Sequence, residues 1–398
     1  MNSLRDLDHR RWLVTGGVVL VVLAVAALLI LFAGADPLVG LRGLVDGISS
    51  SPYRVGELLV GAVPIAIVAL TLIPALRAGI FSVGAEGQII FGAILATGTT
   101  LWLATVAGPD LPGPVFWIAG ALAGIVGGSL FALLPALLAV RWQVNEILST
   151  LLLNYVAAGF LGWSLRTWLA SPEETATPQS EQLPEAAALP TMIAGTRAHW
   201  GIALVLLIAI GFILWRRSAG WTRVSVFSSR PKLALRLGAT RAGTIYSTML
   251  VSGAGAGLVG WVQVAGVNER LFSSVTGGVG FSGLAVALLG GLLPVGIVAA
   301  ALFFSALTAG AVGMQSATGT VPSSIAEVIK GVLLLGVASV AAYQRRPAAV
   351  VAPSDAVVPV DEEPVPESSP RLHATLPHPP SDTHPHELQP ADSGESSR

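Results

Sequence analysis

Along most of this chain, apolar residues come in nearly unbroken runs of about 20, the length that crosses the hydrocarbon core of a bilayer as a helix. The runs fall at 12–35, 55–76, 88–106, 115–140, 147–169, 200–215, 243–267, 280–292, 295–314 and 325–343. They predict an all-α polytopic membrane protein of about ten transmembrane helices. The short run before Pro294 and its neighbour are the weakest, so eight or nine full crossings also fit. The first run follows the basic start "RDLDHRR" and exceeds the apolar core of a signal peptide, about 7–15 residues, so it reads as a retained anchor.

The charges between the runs give an orientation. Arg77, Arg141, the arginines from Arg216 to Arg241, and Arg345 and Arg346 fall on one side with the N-terminus, and the positive-inside rule makes that side cytoplasmic. The loop 171–199 on the other side holds Glu173, Glu174, Glu181 and Glu185 against Arg197, and reads as external. Arg42, Arg54 and Arg270 run against the rule, with Asp36, Asp46 and Glu269 beside them. The expected organisation is a cytoplasmic N-terminus (1–11), a membrane domain (12–343) with a cytoplasmic region at 216–242, and a tail (344–398). That tail, rich in Pro, Ser, Glu and His, is expected to be disordered and cytoplasmic. Its His373, His378, His384 and His386 lack the fixed geometry a metal site needs.

Composition agrees with a membrane protein: 53% of residues are hydrophobic and 11% charged, against about 25% charged in soluble domains. A net charge of −1 offers no electrostatic footprint for nucleic acid. With no Cys, disulfides, thiolate catalysis and Cys-based zinc sites are excluded. Lys232 follows Pro231 and Lys330 precedes Gly331, so neither sits in a Gly-Lys-Ser/Thr phosphate loop. No ATP hydrolysis and no other enzymatic role is expected of this chain.

Against this background the polar residues inside the runs stand out. In "FSVGAEGQ", Glu86 sits among Gly79, Gly84 and Gly87, and an ionised carboxylate at the bilayer centre costs roughly 3 kcal/mol on insertion scales. The glycines predict a break, with a half-helix starting near Gly87. Two roles fit Glu86 there: capping that helix start, or lining a solute pathway together with Gln88, whose amide can both donate and accept. In "VNEILSTLLLNY", Glu146, Ser149 or Thr150, and Asn154 fall on adjoining parts of a helix, either as a polar stripe along a cavity or as interhelical hydrogen bonds. Glu327 and Lys330 are spaced to pair on one helix face. "GIFSVGAEGQIIFGAILA" and "GVGFSGLAVALLGGLLPVGIVAAALFF" both place Phe-Ser before a Gly-interrupted apolar run, and "NEILSTLLL" resembles "AEVIKGVLLL"; this points to a two-fold internal repeat with broken helices. On the cytoplasmic side, Pro231 opens a short amphipathic stretch with Leu233, Leu235 and Leu237, and Gly238 ends it. It could dock a soluble partner or lie on anionic membrane lipid.

Four stretches resemble the membrane-spanning permease subunits of bacterial ABC importers for nucleosides and simple sugars, related to the ribose and branched-chain amino acid permeases. They are "AGIFSVGAEGQIIFGAILA", "VNEILSTLLLNY", "LGATRAGTIYSTMLVSGAGAGLVG" and "GFSGLAVALLGGLLPVGI", in family order across about 12–343. One departure is Ser82, where the family usually has Asn. The resemblance implies a bacterial plasma-membrane protein paired with a second permease subunit and served by an extracytoplasmic solute-binding (lipo)protein. It also implies separate ATP-binding subunits, which would hold ATP and Mg; no cofactor is expected on this chain. It further implies a coupling contact through Pro231, Leu235, Arg236, Gly238 and Arg241, and a substrate pathway that includes Ser82, Glu86, Gln88, Asn154 and Phe281. The "GAEGQ" form looks nearer the nucleoside group than the amino-acid one. The competing classes are an ion-coupled secondary transporter of a small polar solute and a membrane scaffold that transports nothing.

Overall fold

The computed structural model describes residues 24–25, 27–28, 30–172, 177–325, 327–328, 331–332 and 336. Among them the chain is helical and forms no strand; two isolated bridges pair Gln179 with Phe272 and Thr191 with His199. The helices are α1 (Pro37–Ser49), α2 (Pro52–Thr71), α3 (Ile73–Arg77), α4 (Ala85–Ala107), α5 (Gly113–Arg141), α6 (Glu146–Ser164), α7 (Gly201–Trp215), α8 (Ala219–Phe227), α9 (Pro231–Arg236), α10 (Arg241–Gln263), α11 (Val279–Leu289) and α12 (Pro294–Thr318). A π-helical turn, Val264–Asn268, extends α10.

Local sequence sets where these helices begin. Ser51, Asn145, Ser218 and Thr240 each accept a backbone N–H of the following first turn, so α2, α6, α8 and α10 start on side-chain caps. α1 was not among the predicted elements, although its start carries a signal: Asp36 accepts the N–H of Leu38 at 2.8 Å and Pro37 takes the first helical position.

Among the described residues six helices are long and apolar enough to cross a membrane: α2, α4, α5, α6, α10 with its π turn, and α12. α7 and α8 make a seventh if taken as one span, bent by 82° between them. The expected ten are not reached among the described residues, for two reasons. The first and last predicted runs lie largely outside those residues, as does the whole of the tail. The run at 280–292 yields only the 11-residue α11, about 16 Å long and too short to cross alone.

Glycine brings the central helices together. α10 presents Gly253, Gly257 and Gly260 to α4 and α5, and a Cβ added at Gly257 would collide with the backbone of Gly124 and Gly128. Without a hydrophobic driving force between helices in lipid, backbone-to-backbone approach of this kind holds a bundle together by dispersion. Phe91 of α4 stacks on Phe131 of α5 and on Phe160 of α6, with centroid spacings of 4.3 and 5.1 Å. A second small-residue contact joins α1 to α12 through Gly43, Gly47 and Gly313. The loop 177–200 lies over the C-terminal end of α10, since Leu189 N–H donates to Ala265 C=O and Leu183 N–H to Glu269 C=O.

Gly257→Leu should therefore lower stability by about 3 kcal/mol or more, because the obstacle is backbone and cannot rotate away. Gly159→Ala, on α6 where an added Cβ meets nothing within 4 Å, should leave stability unchanged or slightly raised. Thermal unfolding of the two purified variants in one detergent is the check; equal midpoints would refute the packing account.

Candidate functional site

The break predicted around Glu86 is present and spans 78–84. Gly79 takes φ +78° and α4 starts at Ala85 behind Gly84. The helix thus begins two residues before the expected Gly87, and Glu86 lies inside its first turn. The carboxylate does not simply cap its own helix. Glu86 Oε1 accepts the N–H of Gly280 at 2.8 Å and of Phe281 at 3.3 Å, two of the free donors at the start of α11. A Cβ on Gly280 would lie 2.6 Å from the Glu86 backbone nitrogen, so this approach requires glycine.

α6 straps the other side of the break. Asn154 Nδ2 donates to Val83 C=O and its Oδ1 accepts the N–H of Gly87, both at 2.9 Å. Thr150 Oγ1, one turn earlier, accepts the N–H of Val83 at 3.3 Å. The polar face of "VNEILSTLLLNY" is thus spent on the backbone of the break. Ser82 is buried and its Oγ accepts the N–H of Gly84 at 3.4 Å, a local turn a hydroxyl can close. Gln88 is also buried; Ser252 Oγ donates to its Oε1 at 3.5 Å, while its Nε2 has no partner. Ser252 lies about 16 Å along α10 from Arg241, which puts this cluster deep in the bundle. Phe281 joins through its N–H, and its ring is half exposed. The Phe-Ser pairs that suggested a repeat are not equivalent in place: Phe81 and Ser82 lie in the break, Phe281 and Ser282 inside α11.

None of these five side chains lines the cavity that opens next to Gly280 and Phe281. It holds about 530 Å³ between α2, the start of α11 and α12, and Val279 and Ser282 of its wall flank the two residues that Glu86 holds. Its hydrogen-bonding groups are the neutral Tyr53, Gln263, Thr276, Ser282, Ser305 and Thr308 and the charged Arg54, Glu57, Arg197 and Glu327, two of each sign. Pro64 of α2 lines it as well, and its missing N–H leaves the Val60 carbonyl, on the same wall, without a helical partner. At the cavity's edge Arg197 and Glu57 form a two-pronged ion pair at 2.7 and 2.8 Å. Sequence reasoning missed this cavity. The signal available was Glu57 and Gln263, polar residues within predicted membrane runs.

His199 seats the loop 177–200 on the bundle. It is buried, its Nδ1 accepts the N–H of Gly201 at 3.0 Å, and Gly266 of the π turn lies against its ring. Burial, reinforced by the charge of Arg197, depresses its pKa from 6.5 to about 4. At the opposite end of α10, α9 runs from Pro231 to Arg236 and ends on Gly238 with φ +81°. There Ala239 N–H donates to Ala234 C=O at 2.9 Å, closing the turn. Leu235, Arg236 and Arg241 are exposed. Of the Glu327–Lys330 pair, Lys330 lies outside the described residues. Among the described residues no His, Cys, Asp or Glu cluster could hold a metal.

A bundle of membrane-length helices with a helix break at its centre and a polar cavity beside it is the architecture of a transport protein. The profile of the family described as "Branched-chain amino acid transport system / permease component" matches residues 54–338, and the chain belongs to that family. It is 31% identical to a glucose ABC transporter permease protein of Haloferax volcanii, over 84% of this chain and 91% of the relative. It is 30% identical to a guanosine ABC transporter permease protein of Bacillus subtilis, over 80% and 90%. With a nucleoside ABC transporter permease protein of Lactococcus lactis subsp. cremoris it shares 28%, over 78% and 86%. No protein of solved structure matches. These relatives leave the ion-coupled alternative without support.

Two outcomes follow from this geometry. Glu86→Ala should cost about 2–3 kcal/mol by stranding the α11 donors, and Glu86→Gln less, since its amide oxygen can still accept; chemical denaturation of the two variants in micelles measures the difference. For His199, the unfolded chain takes up a proton as pH falls below 6.5, whereas the folded one resists until about 4. Stability from this residue is complete above 6.5 and declines on acidification, by about 2 kcal/mol at pH 5. A His199→Gln variant with the same acid dependence as the native chain would rule this out.

Proposed function

We propose that this chain is the permease subunit of an ABC importer that moves nucleosides or simple sugars across the bacterial plasma membrane, with both termini cytoplasmic. The observation that carries this reading is the cavity beside the break: six neutral donors and acceptors with four charged groups that balance in sign, in a volume within the range of about 300–1,000 Å³ usual for small-molecule sites. Such a lining suits hydroxyls and ring nitrogens, and relatives named for guanosine, nucleosides and glucose support it.

In this reading ATP and Mg are held by separate ATP-binding subunits on the cytoplasmic face. A second permease subunit pairs with this one, and an external solute-binding protein delivers the solute. α9 is the contact with the ATP-binding subunits, through Leu235 and Arg236, with Pro231 opening the helix and Gly238 fixing its end. Arg241 begins α10, whose glycine-packed length links that contact to Gln263 at the cavity. ATP-driven closure moves α10 as a rod. Ser82, Glu86, Gln88, Asn154 and Phe281 form the wall that closes the pathway inward. The wall parts where Glu86 holds the start of α11, and the unpartnered Gln88 amide then faces the passing solute.

The test is uptake into proteoliposomes that carry the chain with its ATP-binding and permease partners and the solute-binding protein. Radiolabelled nucleoside should accumulate only with ATP, and Gln263→Ala should lower uptake several-fold. Accumulation by this chain alone on a proton or sodium gradient would overturn the reading. Gly238→Leu would force a left-handed conformation costing about 1–2 kcal/mol. It should leave the complex assembled and hydrolysing ATP while uptake falls; unchanged uptake would remove α9 from the coupling path.

A further inference from the structure

On the face of the bundle that carries Arg77 and Arg216, two observations meet. The first is an apolar groove of about 610 Å³ between α7 and α10, walled by Leu207, Gly211 and Trp215 on one side and Thr248 and Val251 on the other, with Pro74 at its end. From Leu207 to Trp215 it runs about 12 Å, most of the roughly 15 Å hydrocarbon depth of one leaflet. The groove is open to the lipid side: Leu207 is 68% exposed, and a Cβ added at Gly211 would meet nothing within 4 Å.

The second is charge. At the 82° bend between α7 and α8, the guanidiniums of Arg77 and Arg216 lie 5.0 and 5.5 Å from the centre of the Trp221 ring. Two like charges share one indole, and among the described residues no carboxylate pairs with either of them. Arg77 Nε is buried with no hydrogen-bond partner. Arg77 lies one turn beyond Pro74, and Trp221 meets Trp215 edge-on at 5.3 Å, so the charged pair continues the groove at its end.

We propose that this groove and the Arg77–Trp221–Arg216 stack bind one anionic phospholipid, its phosphate shared by the two guanidiniums and an acyl chain laid between α7 and α10. An anion is what the pair lacks, and a diacyl lipid supplies it on a chain the groove can take. The orientation proposed above assigns the lipid to the inner leaflet; the site itself rests only on the groove and the two arginines.

The experiment is native mass spectrometry of the full-length permease, purified with its partner subunits and reconstituted in vesicles of phosphatidylcholine and phosphatidylglycerol. One phosphatidylglycerol per chain should survive mild delipidation in preference to phosphatidylcholine. Arg77→Gln with Arg216→Gln should reduce its retention about tenfold. Gly211→Trp should fill the open wall and expel it with both arginines in place. Equal retention of the two lipids overturns the proposal, as does retention that survives either variant. The native chain has no Cys, so Gly211→Cys gives a single crosslinking handle; its joining to a second permease chain would show that protein covers the groove and would also overturn the proposal.

Discussion

A helix that begins inside a membrane leaves backbone donors with no water to satisfy them, and the arrangement of this protein's centre follows from that constraint. α11 begins there, and its free N–H groups find the Glu86 carboxylate on the first turn of another half-helix. Glu86 is thereby explained in an oily chain: the donors and the carboxylate each supply what the other would lack. The contact fixes further residues. Gly280 must be glycine for the backbones to approach, and the break before α4 must be held still, which Asn154 and Thr150 do from α6. One ionisable side chain thus ties together α4 and α11, segments 194 residues apart.

Around that contact the bundle divides into a tight part and an open part. α4, α5 and α10 meet through glycines with backbone against backbone, a packing that resists deformation because no side chain is available to rearrange. α2, the start of α11 and α12 leave the cavity instead, and α2 carries Pro64 where it borders that space. The Glu86 contact bridges the two parts.

Much of this could be read from the sequence, and the failures have physical causes. Apolar run length located α2, α4, α5, α6, α10 and α12 because crossing a bilayer imposes a length that composition reveals directly. α1 escaped because its glycines and short apolar stretches pack on α12 without reaching span length, although Asp36 and Pro37 announced its start. The sequence marked Glu86, Gln88 and Asn154 as polar residues needing partners. It could not say that the partner of Glu86 was the backbone of a helix so distant, since N–H groups are the same at every residue. Gly280 was unremarkable in a chain with 45 glycines. The cavity was hidden for a related reason: Tyr53, Gln263, Thr276 and Thr308 come from four separate segments, and only folding brings them together.

The distribution of charge bears on what can pass. Glu57 and Arg197 neutralise one another at the edge of the cavity, Arg54 and Glu327 add one charge of each sign to its wall, and hydroxyl and amide groups supply the other polar contacts. A fixed charge facing a solute in a low-dielectric space would hold an opposite charge tightly and exclude a like one. Passage instead requires contacts favourable enough for entry and weak enough for release. Neutral groups meet that condition for a neutral, hydroxyl-rich solute, because each hydrogen bond made in the cavity replaces one made to water at little net gain.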